Sequence, residues 1–324
     1  MGMSVLYCVN NPVYNIDTEE VYNKQLLPGY MRKNPNKLTF KTWLKMRYSS
    51  NTNSIARALK GISFGQGNRV SINRQTFALS LSDCYWIKDS GMSLRFEQVS
   101  PYYVDFWRGG NDYLGGSIPT LYVDGYMDKE WVNRDTLVKY GDGIFNEIKA
   151  IDACELCGIN VVEAGVLKNS AGVSCLAVNN MTSPKVMLET AEMSGMLDPD
   201  DFDENTILQL FKLTGVQMLT IDAIVGNGDR HAGNFGMFRD TETGNYLGQA
   251  TLYDFDHAFD SNRSDDLLIR RLVDSIKNAE TFKAEALRIC NCIISKSNEI
   301  VFVKRARTIK LKLGGVLGDG DRRF

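Results

Sequence analysis

The order of strand-like and helix-like segments is the feature of this sequence that most limits its fold. Five short apolar runs have the character of strands: residues 120–123, 131–132, 136–140, 161–167 and 173–178. Between the third and fourth runs, residues 143–157 switch to helical spacing, and Gly158 follows as a helix-ending glycine. Because the remainder of the chain is mostly helical, this order predicts an α+β fold with a small sheet-rich lobe and a large helical lobe.

Long stretches after residue 180 show apolar side chains at helical spacing. An acidic segment at 198–203 can cap a helix, and the apolar positions over 207–221 predict a long helix behind it. Further apolar stripes at 267–276 and 286–293 predict helices that face the core of the large lobe.

The composition is that of an ordinary globular protein. Apolar residues make up 44% and charged residues 23%, and the net charge is −2. No overall charge therefore marks nucleic acid or an anionic membrane as a partner. Polar residues such as Gln217 and Asp222 interrupt the longest apolar runs, and no secretion signal is evident, so we expect a cytoplasmic protein without a membrane partner.

Cysteine usage also favours a reducing compartment. Seven cysteines, an odd number, are scattered along the chain, which indicates reduced thiols and not a disulfide framework. Cys154 and Cys157 form a C-x-x-C pair, but this pair lies late in a helical pattern and only two histidines could complete a zinc site. We therefore predict free thiols here.

Basic residues are concentrated at two places. Near the N-terminus they interleave with Tyr30, Phe40, Trp43 and Tyr48, a pattern that can bind nucleic acid. We favour a solvated helical face with inward-pointing aromatic anchors, because polar residues dilute the cluster. The second basic stretch, at 304–312, is expected to be a solvated end of the chain, so binding of nucleic acid is not expected.

The stretch NGDRHAGNFG at 227–236 is the richest in chemistry, and LYDFDH at 252–257 follows it after a turn-rich hairpin. Asp229 and Asn234 stand in a D-x-x-x-x-N spacing between two apolar runs. Phosphoryl transfer requires a carboxylate to orient and deprotonate the attacking hydroxyl, and oxygen ligands for Mg²⁺. Asp229 fits the first role. Asn234 fits the second, together with Asp254, which stands at the end of a strand-like run at 250–253.

These segments resemble the catalytic and metal-binding loops of HipA-like serine/threonine kinases. The likeness extends upstream through VDGYMDKEWV, DTLVKYG and FNEIKA, and it covers roughly residues 116–259. Phosphatidylinositol kinases share the D-R-H-x-x-N core, so the motif indicates the superfamily better than the substrate. The resemblance implies a two-lobed protein-kinase-like fold that uses ATP and Mg²⁺. It divides the chain into a family-specific region at 1–108, a small nucleotide-binding lobe at 109–180 and a large catalytic lobe at 181–324.

The resemblance also implies nucleotide contacts in the small lobe. Lys139 would reach the phosphates, and Glu147, on the inward stripe of its helix, would be its partner; the alternative is that both are ordinary surface residues. The turn at 124–129, with Gly125 and Lys129, is the first choice to cover the phosphates, and the turn at 115–117 is its rival. The adenine edge would lie at 177–180, which includes the following residues: Ala177, Val178 and Asn179.

Four further polar residues flank the proposed reacting groups. His231, which we group with the catalytic residues, and His257 are expected to brace their loops, because phosphoryl transfer requires no imidazole. Arg230 would pair either with a phosphate or with an acid such as Asp256. Asp256 is a second candidate metal ligand beside Asp254.

Several functions remain compatible with these residues. The resemblance implies a protein serine or threonine as the acceptor and an antitoxin-type partner. A small-molecule or lipid kinase, or a nucleotide-binding regulatory module without turnover, is the alternative. A Mg²⁺-dependent phosphodiesterase ranks last because it gives Lys139 and Glu147 no role.

Overall fold

The computed structural model describes residues 4–47, 77–104, 128–168, 172–197, 203–259 and 265–314. The strands in these ranges are β1 (Ser4–Cys8), β2 (Asn11–Asn15), β3 (Tyr85–Asp89), β4 (Asp128–Asn133), β5 (Thr136–Tyr140), β6 (Ala164–Lys168), β7 (Ser174–Asn179), β8 (Val186–Thr190), β9 (Gly236–Asp240) and β10 (Tyr246–Gln249). The helices are α1 (Gly29–Arg32), α2 (Lys37–Arg47), α3 (Phe96–Val99), α4 (Ile144–Leu156), α5 (Ala191–Ser194), α6 (Glu204–Val225), α7 (Asp265–Ile276), α8 (Glu280–Lys296) and α9 (Ile300–Lys312).

The strand-helix-strand succession predicted for the small lobe is confirmed from β4 onward. Strand β5 and helix α4 match their predicted spans to within a residue or so, and Gly158 leaves the helix in the left-handed region with φ 67°. Strands β4, β5, β7 and β6 form one sheet in that order. The strand predicted at 120–123 lies outside the described residues.

Helix α6 is the long helix that the sequence predicted. Its N-cap is Asp203, whose carboxylate accepts the N–H of Thr206 at 2.7 Å, and it is kinked at Lys212, where φ is 52°. It packs against α4, α7, α8 and α9. By length and composition α6 could cross a membrane, but 61% of its most apolar window is buried, and core helices pass the same test.

One sequence prediction is wrong at the level of secondary structure, and a second is only partly right. Residues 250–253 are not a strand: Leu252 makes an isolated parallel bridge to Val161, and the chain then turns at Asp254, where φ is 60°. The basic stretch at 304–312 belongs to α9, in which Lys304 and Lys312 are exposed as predicted while Arg305 is buried. That helix buries Phe302, Ala306 and Ile309 on one face.

The chain divides into two compact units. The sheet-rich unit comprises Met1–Lys139, Ala177–Met196 and Gly236–Ala250, and the helical unit comprises Tyr140–Leu176, Leu197–Phe235 and Thr251–Phe324. The lobe boundaries predicted at residues 108 and 180 stay predictions, and residue 108 lies outside the described ranges.

Two three-stranded sheets, β2-β1-β3 and β10-β9-β8, belong to the sheet-rich unit. Its core includes Phe40 and Trp43 of α2, which are 5% and 1% exposed, so these aromatic side chains are the inward anchors that the sequence predicted. Arg239 of β9 is fully buried beside Glu189 of β8, with Nη1 and Oε1 3.3 Å apart. The N-terminal segment contacts this buried ion pair, because the N–H of Gly29 donates to Glu189 Oε1 at 2.6 Å.

Candidate active site

The candidate catalytic loop begins where α6 ends. Gly226 adopts a left-handed conformation with φ 74°, and both its N–H and that of Asn227 donate to the carbonyl of Asp222. This is a common way for a helix to end, because the glycine satisfies last-turn carbonyls without steric cost. The loop at 227–235 therefore starts from a rigid, buried support.

A buried ion pair joins this helix end to the loop. Arg230 donates from Nε to Asp222 Oδ2 and from Nη2 to Oδ1, both at 2.9 Å, and the two side chains are 5% and 4% exposed. Asn227 Nδ2 donates to the same carboxylate at 2.8 Å. Burial alone would lower the pKa of Arg230, but attraction to Asp222 raises it overall, so the guanidinium stays charged.

Arg230 also binds the two loops to each other. Its Nη1 donates to the carbonyl of Asn234 at 2.7 Å and to the carbonyl of Tyr253 at 2.8 Å. Tyr253 returns a hydrogen bond from its hydroxyl to the carbonyl of Gly233 at 3.0 Å, and the guanidinium lies 4.8 Å from the ring centroid of the buried Phe255. The guanidinium of Arg230 thus holds the backbone of Asn234 next to the backbone that carries Asp254.

The proposed base and the proposed metal ligands converge on this frame. Asn234 is buried, and its Nδ2 donates to the carbonyl of Asp229 at 3.1 Å. Asp229 is partly exposed, and its Oδ2 lies 3.7 Å from Nε2 of His257 on the second loop. The candidate catalytic loop therefore leaves the Asp229 carboxylate partly exposed, while buried hydrogen bonds hold the backbone of the loop.

The donor set suits a Mg²⁺ ion. Since the Asn234 amide donates through Nδ2, its Oδ1 is the atom left for a cation. Asp254 is partly exposed and holds φ at 60°, a conformation that non-glycine residues adopt rarely and that often marks functional sites. Hydrogen bonds and burial at Tyr253 and Phe255 on either side hold this backbone in place. Hard oxygen ligands of this kind are the ones Mg²⁺ prefers.

Asp256 and His231 have more peripheral positions. Asp256 is partly exposed and begins the turn in which the N–H of Ala258 donates to the carbonyl of Phe255. His231 is exposed, and its Nδ1 accepts the N–H of Gly233 at 3.1 Å, which is a loop-bracing contact. Among the described residues, no three His, Cys, Asp or Glu side chains form a metal cluster, so a metal here would rely on the Asn234 amide as well as on carboxylates.

The nucleotide-binding candidates are divided between the units. Lys139 on β5 and Glu147 on α4 are 4% and 1% exposed, so the alternative that they are ordinary surface residues is wrong. Charged groups are rarely buried without a specific role or partner. Lys129 lies on β4 and the segment Ala177, Val178 and Asn179 ends β7, whereas Gly125 lies outside the described residues.

Sequence reasoning missed three contributors to the site. It treated Asp222 only as a break in an apolar run, and it did not foresee that Tyr253 joins the loops or that His257 faces Asp229. One signal was present for Asp222: an acidic residue in an apolar helical stretch is expected to be buried, and a buried carboxylate needs a cationic partner. The pairing of Arg230 with an acid was one of the two alternatives, and the acid is Asp222.

Comparison with solved structures supports the fold class that the sequence predicted. The structure of HipA from Shewanella oneidensis MR-1, in a toxin-antitoxin complex with HipB and operator DNA, matches with a TM-score of 0.59, 12% sequence identity, and coverage of 96% of this chain and 95% of that chain. The proinflammatory kinase CtkA of Helicobacter pylori is also similar, with a TM-score of 0.36 and 16% identity over 58% of this chain and 91% of that one. No family model and no curated protein matches the chain.

The chain has a HipA-like α+β fold. The likeness to HipA runs over almost the whole length of both chains. The fold class predicted from the sequence is confirmed.

Proposed function

We propose that this chain is an ATP- and Mg²⁺-dependent kinase that transfers the γ-phosphate of ATP to a hydroxyl group, with a protein serine or threonine as the acceptor. One observation carries the proposal: Arg230 holds the loop of Asp229 and Asn234 against the loop of Asp254. A carboxylate and two oxygen ligands on adjacent loops are the groups that phosphoryl transfer requires from a protein.

Each residue has a distinct role in this proposal. Asp229 would orient the acceptor hydroxyl and accept its proton, and its partial exposure is what an incoming acceptor requires. Asn234 and Asp254, with Asp256 as a further candidate, would hold Mg²⁺, which when bound would neutralise charge on the phosphate oxygens. Lys139 would bind the phosphates, Glu147 would position Lys139, and the end of β7 would contact the adenine.

The partner and setting are also proposals. The HipA of the similar structure is in a complex with HipB and DNA, which supports an antitoxin-type protein as the partner of this chain. Free thiols at all seven cysteines fit the proposed cytoplasmic location.

Transfer of labelled γ-phosphate from Mg-ATP tests the function. We expect the wild type to label itself or a protein acceptor, and Asp229→Ala to reduce transfer by about 10²- to 10⁴-fold, the usual contribution of a general base. ATP affinity, measured in parallel, should be retained in Asp229→Ala. Asp274→Ala is the matched control, because Asp274 is exposed on α7 and pairs with the nearby Lys277 of the same helix.

The same assay separates the alternatives. If the wild type binds ATP and phosphorylates a small molecule or lipid but no protein, the acceptor class is wrong while the kinase proposal stands. If it binds ATP and no acceptor of any class is labelled, the chain is a nucleotide-binding module without turnover. Absence of ATP binding would overturn the proposal as a whole.

A further inference from the structure

Two cysteines from different helices meet in the helical unit. Cys157 follows the last residue of α4, and Cys292 lies in the middle of α8. The Cys292 thiol lies near enough to Cys157 to raise the pKa of that thiol. Both are free thiols.

Backbone contacts of the two sulfurs show the same juxtaposition independently. Cys292 Sγ donates to the carbonyl of Leu156 at 2.9 Å, one residue before Cys157. Cys157 Sγ donates to the carbonyl of Ile289 at 3.9 Å, one helical turn before Cys292. Each sulfur therefore reaches the backbone of the helix that carries the other.

Arg288 fixes the two helices at this point. Its Nη1 donates to the carbonyl of Cys157 at 2.8 Å, and it also pairs with Glu285 in its own helix. The guanidinium lies close enough to both sulfurs to interact with them electrostatically.

The two thiols differ in access to solvent. Cys292 is partly exposed, whereas Cys157 and the remaining five cysteines are buried. Burial, and then the neighbouring Cys292 thiol, raise the pKa of Cys157 to about 12. An oxidant from solution therefore meets Cys292 first, with Cys157 in position as the second thiol.

We propose that Cys157 and Cys292 form a redox-active pair that a peroxide converts reversibly into an intramolecular disulfide between α4 and α8. Such pairs in reducing compartments are usually transient and serve redox sensing. The proposal goes beyond the kinase function and does not depend on it.

The chemistry balances with hydrogen peroxide as the oxidant. The Cys292 thiolate attacks one peroxide oxygen, the O–O bond breaks, and the departing hydroxide takes up a proton to leave as water, which yields a sulfenic acid at Cys292. The Cys157 sulfur, after losing its proton, then attacks the Cys292 sulfur, so that the S–S bond forms, the S–O bond breaks and a second water leaves. Two thiols are oxidised by two electrons, and one peroxide is reduced to two waters.

Peptide mapping of the folded wild type tests the proposal directly. The full chain is treated with hydrogen peroxide, remaining thiols are blocked, and the protein is digested without reduction. We expect one cross-linked peptide pair joining Cys157 to Cys292, a fall of two in the thiol count from seven, and full recovery of thiols with dithiothreitol.

Variants identify the order of events. Cys157→Ser should stop at the sulfenic acid on Cys292, which dimedone traps, and Cys292→Ser should form no cross-link. Cys290→Ser is the matched control, because Cys290 lies on the same helix but is fully buried in the core, and it should keep the Cys157–Cys292 link.

Mapping in the wild type decides the outcome even if a variant folds poorly. A link between other cysteines, or persistence of all seven thiols under oxidant concentrations that modify exposed cysteines of a reference protein, would overturn the proposal. Irreversible oxidation of Cys292 without any link to Cys157 would overturn it as well.

Discussion

Removal of the Asp222 carboxylate should destabilise the helical unit by more than most single substitutions do. Asp222→Ala leaves the charge of Arg230 buried without its two hydrogen bonds to an acid, and it also removes the acceptor of Asn227 Nδ2. Breaking a buried pair by removing one partner costs about 3–5 kcal/mol. The substitution also frees the guanidinium that holds the two loops together, so phosphate transfer should fall with stability.

Chemical denaturation followed by the helical signal measures the loss. The control is Asp274→Ala, an exposed acid on α7, which should change the free energy of unfolding by less than about 0.5 kcal/mol. A fall of less than about 1 kcal/mol in the free energy of unfolding of Asp222→Ala would refute the reasoning, because a buried guanidinium without an acidic partner should destabilise the fold by more than that.

A paired substitution separates stability from function. Asp222→Leu combined with Arg230→Met replaces the ion pair by apolar side chains of similar size, which often restores or exceeds the original stability. The carbonyls of Asn234 and Tyr253 would still lack their shared donor. We therefore expect a folded protein with impaired transfer, whereas recovery of both properties would show that Arg230 does not hold the loops.

Three further predictions follow from single residues. Asp254→Asn keeps a side chain that tolerates positive φ, so stability should change by less than about 0.5 kcal/mol, while the Mg²⁺ concentration for half-maximal transfer should rise at least about tenfold. Lys139→Met preserves length in a buried position but removes the charge, so the Kd for ATP by calorimetry should rise roughly 10- to 100-fold. Gly236→Ala would bring a Cβ to 2.3 Å from the carbonyl oxygen of Glu189 and should cost about 1–3 kcal/mol on denaturation, whereas Gly165→Ala, where an added Cβ meets open space, should not.

Local patterns were the part of the fold that the sequence could predict. The spans of β5 and α4 and the cap of α6 at Asp203 depend on spacing, capping residues and glycine within a few positions, so they were found. The run at 250–253 was misassigned because its residues suit a strand, whereas within it only Leu252 makes a β-bridge. Apolar composition alone does not reveal whether a strand partner exists.

Charge misled the prediction for the C-terminal helix. Its basic residues suggested solvent, but Arg305 is buried and donates from Nε to the carbonyl of Ala223 at 2.8 Å. A long aliphatic stem lets arginine line a core while its head binds backbone acceptors. The helical spacing of Phe302, Ala306 and Ile309 was the better signal, because it marks the face of the helix that is buried.

The use of Arg230 inside the fold constrains how a nucleotide could be bound. Four of its five N–H donors are taken by Asp222 and by the carbonyls of Asn234 and Tyr253. A bidentate hydrogen-bonded contact with a phosphate needs two unused N–H donors on one side of the guanidinium, and the hydrogen bonds of Arg230 leave only one N–H unused. In the proposed reaction Arg230 would therefore not supply a bidentate phosphate contact, and Lys139 and a cation held by Asn234 and Asp254 are each proposed separately for that charge. For this reason Lys139→Met and Asp254→Asn should impair nucleotide use in a folded protein, whereas substitution of Arg230 should first impair the fold of the loops.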